Sequence, residues 1–450
     1  MSAALLQAWE KTRRRRGPDR AVLEAATGAA CTFRELDERG AAWLRSHAPG
    51  LQERLAGRAV VFAVPNGIGW LEIFLGLLHA GAVAVPLDAS EPPAAQQEIA
   101  VALRAGFRWD GTRLVPLAGS RRFRDPATCL IKLTSGTTGR PRPLVFTAAQ
   151  LLADARQVTA TMGIAARDLN YALIPFGHSY GLGNLTLPLL AHGVPLVCGT
   201  LPLPHAIAAD FVRWRPTVFP SVPAVWRALA ASAVSPASLA SLRLAISAGA
   251  PLPAATAQEF AARFGRKLHA FYGSSETGGI SFDRTGSATL RGGVGKPLRG
   301  VRIRVGADGR LRVGSAAVFS HGNSRRDGRV ACWFPPDRAA LEPDGSIALL
   351  GRRGTTVKLG GRRVSLTEIA ARIRRLPGVN DVWVGVGSGA DPVLGAAVAT
   401  ARPAAELRSE LHPDTAAWKI PRKWLILPAL PLTDRGKIDG RALQAKLFTA

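Results

Sequence analysis

The stretch LTSGTTGRPRPLVFT, residues 133–147, concentrates glycines and hydroxyl side chains in a pattern that suits anion binding. Glycines let the backbone approach a ligand closely, its N–H groups can point inward, and hydroxyls add further donors. A plain turn after a strand is the alternative interpretation. The stretch is not a Walker loop, because GTTG is followed by RPRP and not by Gly-Lys-Ser/Thr.

Four other residues could bind a metal, a pair of hydroxyls or a negative charge: His178 in PFGHSYG, Glu276 in FYGSSE, Asp337 in WFPPD and Lys437 in PLTDRGKID. Each also has an ordinary interpretation, as a packed histidine, a turn or helix-cap carboxylate, or a surface lysine. Taken singly, none of the four identifies a reaction.

The elements that must position these residues follow an α/β pattern. VVFAVPNG (60–67), WLEIFLGLLHAGA (70–82) and VAVPLD (83–88) predict a β-α-β unit and hence a parallel sheet. LIKLTS (130–135) predicts a strand entering the glycine-rich loop, and AAQLLADARQVTATMG (148–163) predicts a helix after it. Five later runs predict further strands: LNYALIP, PLVCG, TVFPSVP, LRLAISAG and KLHAFYG. Ligands bind beyond the carboxyl ends of such strands.

The pattern of predicted elements changes after about residue 350, where the segments predict a small α+β domain. GRRGTTVKLGGRRVS (351–365) predicts a short ribbon, and SLTEIAARIRRLPG (365–378) has the cap and periodicity of an amphipathic helix. NDVWVGVG and GAAVAT predict strands after it.

The composition indicates a globular chain with a strongly basic balance. The 450 residues are 47% hydrophobic, enough for two or three domains, and the net charge is +26. That charge fits either a solvated surface or an acidic partner: nucleic acid, coenzyme phosphates or a carrier protein. The runs RRRR (13–16) and RRFR (121–124) favour nucleic acid, whereas the 6% aromatic content and the lack of a recognised motif argue against it.

The cysteines and the apolar segments predict a cytoplasmic protein without a membrane span. Cys31, Cys129, Cys198 and Cys332 are far apart and form no CxxC pair, as expected of reduced, packed thiols. The N-terminal segment lacks the order of a secretory signal, since its basic run follows the apolar stretch. The longest apolar regions are interrupted by Glu, His, Gly and Pro.

TSGTTGRPRP resembles the phosphate-binding signature of the adenylate-forming superfamily, which includes acyl- and aryl-CoA synthetases, luciferases and the adenylation domains of nonribosomal peptide synthetases. PFGHSYG, SAGAPL, FYGSSE, GVGKP, WFPPD, GRRGTTVKLGGRR and PLTDRGKID resemble further motifs in the family's order. This ordered set extends over nearly the whole chain.

The resemblance implies the fold and the reaction. The fold would be α/β, with a large N-terminal core domain of mixed β-sheets and flanking helices (1–352) and a small, mobile α+β lid domain (353–450). The reaction would be ATP-dependent activation of a small carboxylic acid to an acyl-adenylate, with Mg²⁺. The acyl group would then pass to the pantetheine thiol of CoA or of an acidic acyl carrier protein.

The resemblance also implies roles for individual residues. The matched catalytic positions are Lys437, Glu276 (the Mg²⁺ ligand), Thr137 and His178. The matched nucleotide-binding positions are Thr134, Ser135, Gly136, Thr138, Gly139, Arg142, Gly249, Ala250, Pro251, Tyr272, Gly273, Ser275, Asp337 and Arg352. The matched substrate-binding positions are His178, Ser179, Tyr180, Gly181, Ser247, Phe271 and Gly278. The side that receives the thiol acceptor would comprise Lys358, Gly360, Gly361, Arg362 and Arg363, with Gly354 as the hinge.

Several residues depart from the family pattern. Pro335-Pro336 stands where Thr-Gly is expected before Asp337, and Gly354 stands where the hinge is commonly Asp or Lys. A nucleotide-binding member without turnover is therefore an alternative. Amino-acid-activating members carry an Asp where this chain has Ser179, and a buried ammonium without a partner is costly. The expected substrate is thus an aryl or short acyl carboxylate.

Overall fold

The computed structural model describes residues 3–134, 142–319, 325–327, 330–352, 356–359, 362–387, 393–411, 415, 419–433 and 436–448. At residues 3, 325–327, 352, 356, 358–359, 362–363 and 365 it describes the backbone alone.

The first third of the chain builds a six-stranded sheet and one edge of a larger one. Its elements are α1 (Ala3–Arg16), β1 (Arg20–Glu24), β2 (Ala30–Thr32), α2 (Phe33–His47), α3 (Gln52–Leu55), β3 (Ala59–Ala63), α4 (Ile68–His79), β4 (Val83–Leu87), α5 (Pro93–Ala102), β5 (Phe107–Trp109), β6 (Leu114–Pro116), β7 (Thr128–Thr134) and β8 (Arg142–Thr147). The six-stranded sheet has the order β6-β5-β3-β4-β7-β8. The predicted β-α-β unit is confirmed, since β3 and β4 are parallel neighbours joined by α4.

The arginine run at the end of α1 binds the protein's own chain. Arg13 Nε lies 3.2 Å from Asp37 Oδ2. Arg16 donates to the carbonyl oxygens of Ala166 at 2.8 Å and Gly193 at 3.0 Å. These side chains fasten α1 to later segments, which removes much of the support that the run gave to a nucleic-acid partner.

The central part forms a nine-stranded sheet covered by helices. Its elements are α6 (Ala148–Met162), β9 (Asn170–Ala172), α7 (Ser179–Gly181), a π-turn (Leu182–Thr186), α8 (Leu187–His192), β10 (Leu196–Cys198), α9 (Pro204–Trp214), β11 (Val218–Ser221), α10 (Pro223–Ala231), β12 (Leu244–Ser247), α11 (Ala254–Phe264), β13 (Leu268–Ser274), β14 (Gly278–Phe282) and β15 (Lys296–Pro297). The strand order is β15-β14-β13-β12-β11-β9-β10-β1-β2. The five strands predicted from LNYALIP to KLHAFYG are β9 to β13, all parallel to their neighbours among these five.

A third group of strands is antiparallel and precedes the C-terminal region. It comprises β16 (Arg302–Val305), β17 (Leu311–Gly314), β18 (Arg325–Asp327), β19 (Val330–Trp333), β20 (Asp337–Leu341) and β21 (Ile347–Arg352). The first four form a sheet of order β16-β17-β19-β18, and β20 pairs with β21.

The C-terminal region has the predicted ribbon, helix and strands. Its elements are β22 (Thr356–Leu359), β23 (Arg362–Ser365), α12 (Leu366–Arg374), β24 (Asp381–Val386), β25 (Leu394–Ala399), α13 (Ala404–Leu411), β26 (Lys423–Leu427) and α14 (Gly440–Phe448). The ribbon is the β22–β23 pair, and β24-β25-β26 form a sheet. The mixed α/β fold with a small C-terminal α+β unit is thus confirmed. The boundary at residue 352 stays a prediction.

Apolar clusters hold these layers together. Trp9, Trp70 and Trp226 are among the largest fully buried side chains, and separate clusters fill the C-terminal unit around Ile373 and Leu443. Within the described ranges, no helix is long and apolar enough to cross a membrane.

The four cysteines are free and buried. Burial raises the pKa of both Cys31 and Cys129 to about 12. Their thiols therefore stay protonated at neutral pH and act as small apolar side chains.

Candidate active site

Tyr272 and Asp337 come together although 65 residues separate them. Tyr272 Oη donates a hydrogen bond of 2.8 Å to Asp337 Oδ2, and Asp337 is 7% exposed. Asp337 begins β20 at the position paired with Arg352 on β21. The stiff Pro335-Pro336 approach therefore does not displace this carboxylate, and the predicted adenine and ribose ligands are in contact.

Glu276 lies in the turn between β13 and β14, and its backbone is held from outside the hairpin. Phe319 N–H donates to the Glu276 carbonyl oxygen at 2.7 Å. The Phe319 ring lies 6.1 Å from the Trp333 ring, and the Arg142 guanidinium lies 5.5 Å from the Trp333 ring. These contacts link β8, which follows the glycine-rich stretch, to the turn that carries Glu276.

Lys437 lies on an exposed turn of the C-terminal unit, and this turn faces the core domain. The turn is closed by a hydrogen bond of 2.7 Å from Thr433 N–H to the Lys437 carbonyl oxygen. A methyl group placed on Gly436 would lie 3.6 Å from Val222 Cγ2, and one on Gly249 would lie 3.4 Å from Val222 Cγ1. Val222 thus brings the lysine turn beside the SAGAPL loop, in which Ala250 and Pro251 are exposed.

A second contact between the two units involves charged groups. Arg227 Nη2 on α10 lies 3.7 Å from Asp381 Oδ2 on β24. The C-terminal unit is therefore seated on α10 and on the strand ends beside it.

His178 and its neighbours stand at the entrance of α7. His178 Nε2 lies 3.3 Å from Asp88 Oδ2, just beyond the end of β4. Ser179 and Gly181 bound the single turn of α7, which runs into the π-turn. A side chain at Gly181 would collide with the Pro175 carbonyl oxygen, so this position requires glycine. Sequence reasoning gave Asp88 no role, although it ends the strand VAVPLD.

Tyr180 and Phe271 form an apolar wall. Their ring centroids lie 5.8 Å apart. Tyr180 Oη also donates to the Ile246 carbonyl oxygen at 3.2 Å. Burial raises the pKa of Tyr180 well above its usual value, so the phenol is neutral and serves as a donor.

The strand register sets Ser247 apart from Phe271, and the substrate-binding role of Ser247 stays a prediction. Its Cα pairs with that of Ala270 on β13, whereas Phe271 is the next residue and points to the other face. Ser247 therefore faces the layer that contains Ala245 and Leu268, while Ile246 and Phe271 lie in the opposite layer. The serine side chain does not belong to the wall formed by Phe271.

A lysine and an aspartate that sequence reasoning did not assign are buried close to this region. Lys132 on β7 and Asp154 on α6 are each 3% exposed. The Lys132 ammonium lies 4.3 Å from the Phe146 ring centroid, and Asp154 Oδ1 accepts from Gly279 N–H at 2.9 Å. The signal in the sequence was a charge inside an apolar strand, LIKLTS, and another on the buried face of a helix.

These two groups attract one another, and their titration is perturbed by burial. Burial lowers the pKa of Lys132, opposed by the charges of Asp154 and Glu276. Burial raises the pKa of Asp154, opposed by the charge of Lys132 and the hydrogen bond from Gly279 N–H. The pair therefore couples the strand before the phosphate-loop motif to the segment after Glu276.

Several predicted residues fall outside the described residues. They are Ser135, Gly136, Thr137, Thr138, Gly139, Gly354, Gly360 and Gly361. For Arg352, Lys358, Arg362 and Arg363 the backbone alone is described, on β21, β22 and β23. Thr134 ends β7, and its hydroxyl lies 3.5 Å from the Arg142 carbonyl oxygen, so both edges of the loop are adjacent. Gly273 and Ser275 lie on either side of the end of β13.

Comparison with known proteins gives concordant matches. The model of the AMP-binding enzyme family matches residues 9–107 and 119–316. A feruloyl-CoA synthase of Amycolatopsis sp. is 26% identical, with 96% of this chain and 97% of that protein covered. An anthranilate–CoA ligase of Pseudomonas aeruginosa is 28% identical over 70% of this chain and 66% of its own length. The crystal structure of ATP-bound MatB from Rhodopseudomonas palustris superposes with a TM-score of 0.83 at 21% identity, covering 98% of both chains.

Proposed function

Since this chain belongs to the AMP-binding enzyme family, we propose that it activates an aryl or short acyl carboxylic acid with ATP and passes the acyl group to a pantetheine thiol. The observation that carries this proposal is the contact between Tyr272 and Asp337, two motif residues that the fold brings from distant segments. The relatives named as feruloyl-CoA synthase and anthranilate–CoA ligase support an acid–thiol ligase acting on aryl acids.

The nucleotide would bind at the carboxyl ends of β12 and β13. The Tyr272 ring is suited to stack on adenine, and the Gly249–Pro251 loop borders the same region. A carboxylate can accept hydrogen bonds from both ribose hydroxyls, so Asp337 is the proposed ribose ligand, with Arg352 on the paired strand as a second contact. The hydroxyls and glycines of residues 134–139, with Arg142, would hold the β- and γ-phosphates.

Glu276 is the proposed protein ligand of Mg²⁺. Its carboxylate is an oxygen donor, which suits this hard cation. Among the described residues, no group of three or more His, Cys, Asp or Glu side chains could hold a metal. One carboxylate fits, because Mg²⁺ in nucleotide sites keeps several waters and takes its other ligands from substrate phosphates. The bound ion would neutralise charge on the phosphates.

The first half-reaction joins two anions. An oxygen of the substrate carboxylate attacks the α-phosphorus, the bond from that phosphorus to the bridging oxygen breaks, and pyrophosphate leaves. Positioning and charge neutralisation are most of what a protein can supply to such a transfer. Lys437 would place its ammonium between the substrate carboxylate and the bridging oxygen. The seating of its turn beside Val222 supports this role.

The second half-reaction would use the other side of the C-terminal unit. The thiolate sulfur attacks the acyl carbon, and AMP leaves with the bonding electrons of the anhydride. In the proposed cycle the lid turns about Gly354 and presents the β22–β23 ribbon, with Lys358, Arg362 and Arg363, to the acceptor. Their positive charge suits the phosphates of CoA and an acidic carrier protein alike.

The acid pocket would be bounded by Tyr180 and Phe271. Their rings suit an aryl group. Ser179 offers no charge to pair with an α-ammonium, and an unpaired buried ammonium is costly, so amino acids are disfavoured. His178, held by Asp88, would close the pocket near the reacting carboxylate.

The free, buried thiols fit a reducing, cytoplasmic setting.

ATP–pyrophosphate exchange across a panel of aryl, fatty and amino acids tests the first half-reaction. We expect exchange with aryl or short acyl acids, and thioester formation when CoA or a holo-carrier protein is added. Absence of exchange with every acid, in a protein that binds ATP, would instead identify a nucleotide-binding member without turnover. Mg²⁺ titration of the exchange rate tests the role of Glu276, with Glu276→Gln expected to require more Mg²⁺.

A further inference from the structure

The carboxylate of Asp154 lies between the two segments that follow the pocket motifs. Gly183 belongs to the π-turn, two residues beyond Gly181, and Gly278 is two residues beyond Glu276. Asp154 reaches both from α6, whose N-terminus is fixed by a capping box between Thr147 and Gln150.

Glycine is required at these positions because the carboxylate packs directly against both backbones. A methyl group on Gly183 would lie 2.9 Å from Asp154 Oδ2, and one on Gly278 would collide with the same carboxylate. Gly278 also has a φ of +68°, which disfavours any other residue. Gly279 also lies beside Phe271, so the Asp154 carboxylate and the apolar wall of Tyr180 and Phe271 meet at one corner of the site.

Only one oxygen of Asp154 has a direct hydrogen-bond partner among the described residues. Oδ1 accepts from Gly279 N–H at 2.9 Å, which leaves Oδ2 able to accept from another donor. The charge of Lys132 attracts this carboxylate, but these two described side chains form no direct salt bridge. A buried carboxylate with an unused acceptor favours a ligand or a water that donates to it.

We propose that Asp154 is a specificity-determining residue that selects acids carrying a neutral hydrogen-bond donor, an aromatic amine or a hydroxyl, at the end of the ring remote from the reacting carboxylate. This inference rests on the proposed function and names the substrate class of the same site. Lys132 offsets the charge of Asp154, and the free oxygen of this carboxylate is suited to accept a hydrogen bond from a neutral donor.

The test compares acids that differ only in the donor. Benzoates with an amino, a hydroxyl or a methyl group at position 3 or 4 are measured by ATP–pyrophosphate exchange as kcat/KM. The methyl group matches the others in size but donates no hydrogen bond. For the native enzyme we expect the donor-bearing acid to exceed the methyl acid at least about tenfold at one ring position, since sites built for a polar substituent reject its analogue strongly.

Two variants and one control isolate the carboxylate. Asp154→Leu should bring the donor-to-methyl ratio to about one or below. Asp154→Asn keeps an oxygen for Gly279 N–H and should lower the donor-to-methyl ratio about threefold. This variant provides the test if Asp154→Leu does not fold. The control is Asp168→Asn, because Asp168 is also buried, at 2% exposure, but bonds Arg243 outside this corner. It should lower the melting temperature and leave the ratio unchanged.

The outcomes separate the two proposals. If no acid supports exchange with the native enzyme, the proposed function fails, and this inference fails with it. If acids support exchange but the native enzyme shows no preference for a donor at either ring position, the inference alone is wrong. A donor-to-methyl ratio that survives in Asp154→Leu would also overturn it.

Discussion

Replacing Tyr272 by Phe removes one hydroxyl and keeps the ring that is proposed to stack on adenine. The hydroxyl donates to Asp337 Oδ2 at 2.8 Å, and Asp337 is 7% exposed. A hydrogen bond to a charged group contributes about 1.5–3 kcal/mol. Because the carboxylate keeps a contact with solvent and with other groups, we use the lower end, about 1.5 kcal/mol, which corresponds to roughly a tenfold change in an equilibrium constant.

The expected result is a KM for ATP about tenfold higher in Tyr272→Phe with little change in kcat. The reason is that the bond orients a ribose ligand equally in the ground state and the transition state, so its loss removes uniform binding. ATP–pyrophosphate exchange measured over a range of ATP concentrations gives both constants.

Tyr171 supplies a matched control. Its hydroxyl donates to Asp210 Oδ2 at 2.6 Å, and its side chain is fully buried. Tyr171→Phe removes the same kind of bond from the core, so it should lower the melting temperature without changing the KM for ATP. A Tyr272→Phe variant that behaves like this control, with lower stability and an unchanged KM for ATP, would refute the proposed role of the Tyr272–Asp337 hydrogen bond.

Three other predictions follow from the charged groups. Lys437→Ala should abolish exchange while leaving ATP binding, measured by calorimetry, nearly intact; unchanged exchange would contradict its role. Arg362→Ala combined with Arg363→Ala should reduce thioester formation at least about tenfold more than exchange, and equal loss in both steps would count against a lid with two poses. Burial would raise the pKa of Asp168, but hydrogen bonds led by Arg243 lower it. The ionised Asp168 therefore stabilises the folded state above its unfolded pKa of about 4, and this stabilisation is lost as the pH falls through the lower folded pKa. Asp168→Asn should lower the free energy of unfolding by about 2 kcal/mol at pH 7. The variant should also lose less stability than the native protein on acidification, which thermal melts from pH 7 to pH 2 would measure.

Local patterns predicted the scaffold well because strand and helix periodicities depend on nearby residues. The β3–α4–β4 unit and the helix α6 are examples, since an apolar run or a repeating apolar face identifies each one. The contact of Tyr272 with Asp337 was expected only through the family's motif order, because nothing local relates residues that are 65 positions apart.

The sequence could not show which way some side chains point. A motif grouped Ser247 with Phe271, but the pairing of the Ser247 Cα with Ala270 puts these two side chains on opposite faces of the sheet. The partnership of Lys132 and Asp154 was missed for a related reason: a strand and a helix bring the two charges close only after the layers pack. Charged residues at apolar positions were visible in both segments, and such positions are where a tertiary partner should be sought.

The placement of the cysteines allows the C-terminal unit to be labelled selectively with a fluorescent dye. All four lie before residue 333, and residues 353–450 contain none. Because all four native thiols are buried, they should resist maleimide dyes while the core stays folded. A single cysteine introduced on the outer surface of the C-terminal unit would then carry the label almost alone. Fluorescence from one molecule at a time could test for the proposed rotation of that unit in an otherwise unaltered protein.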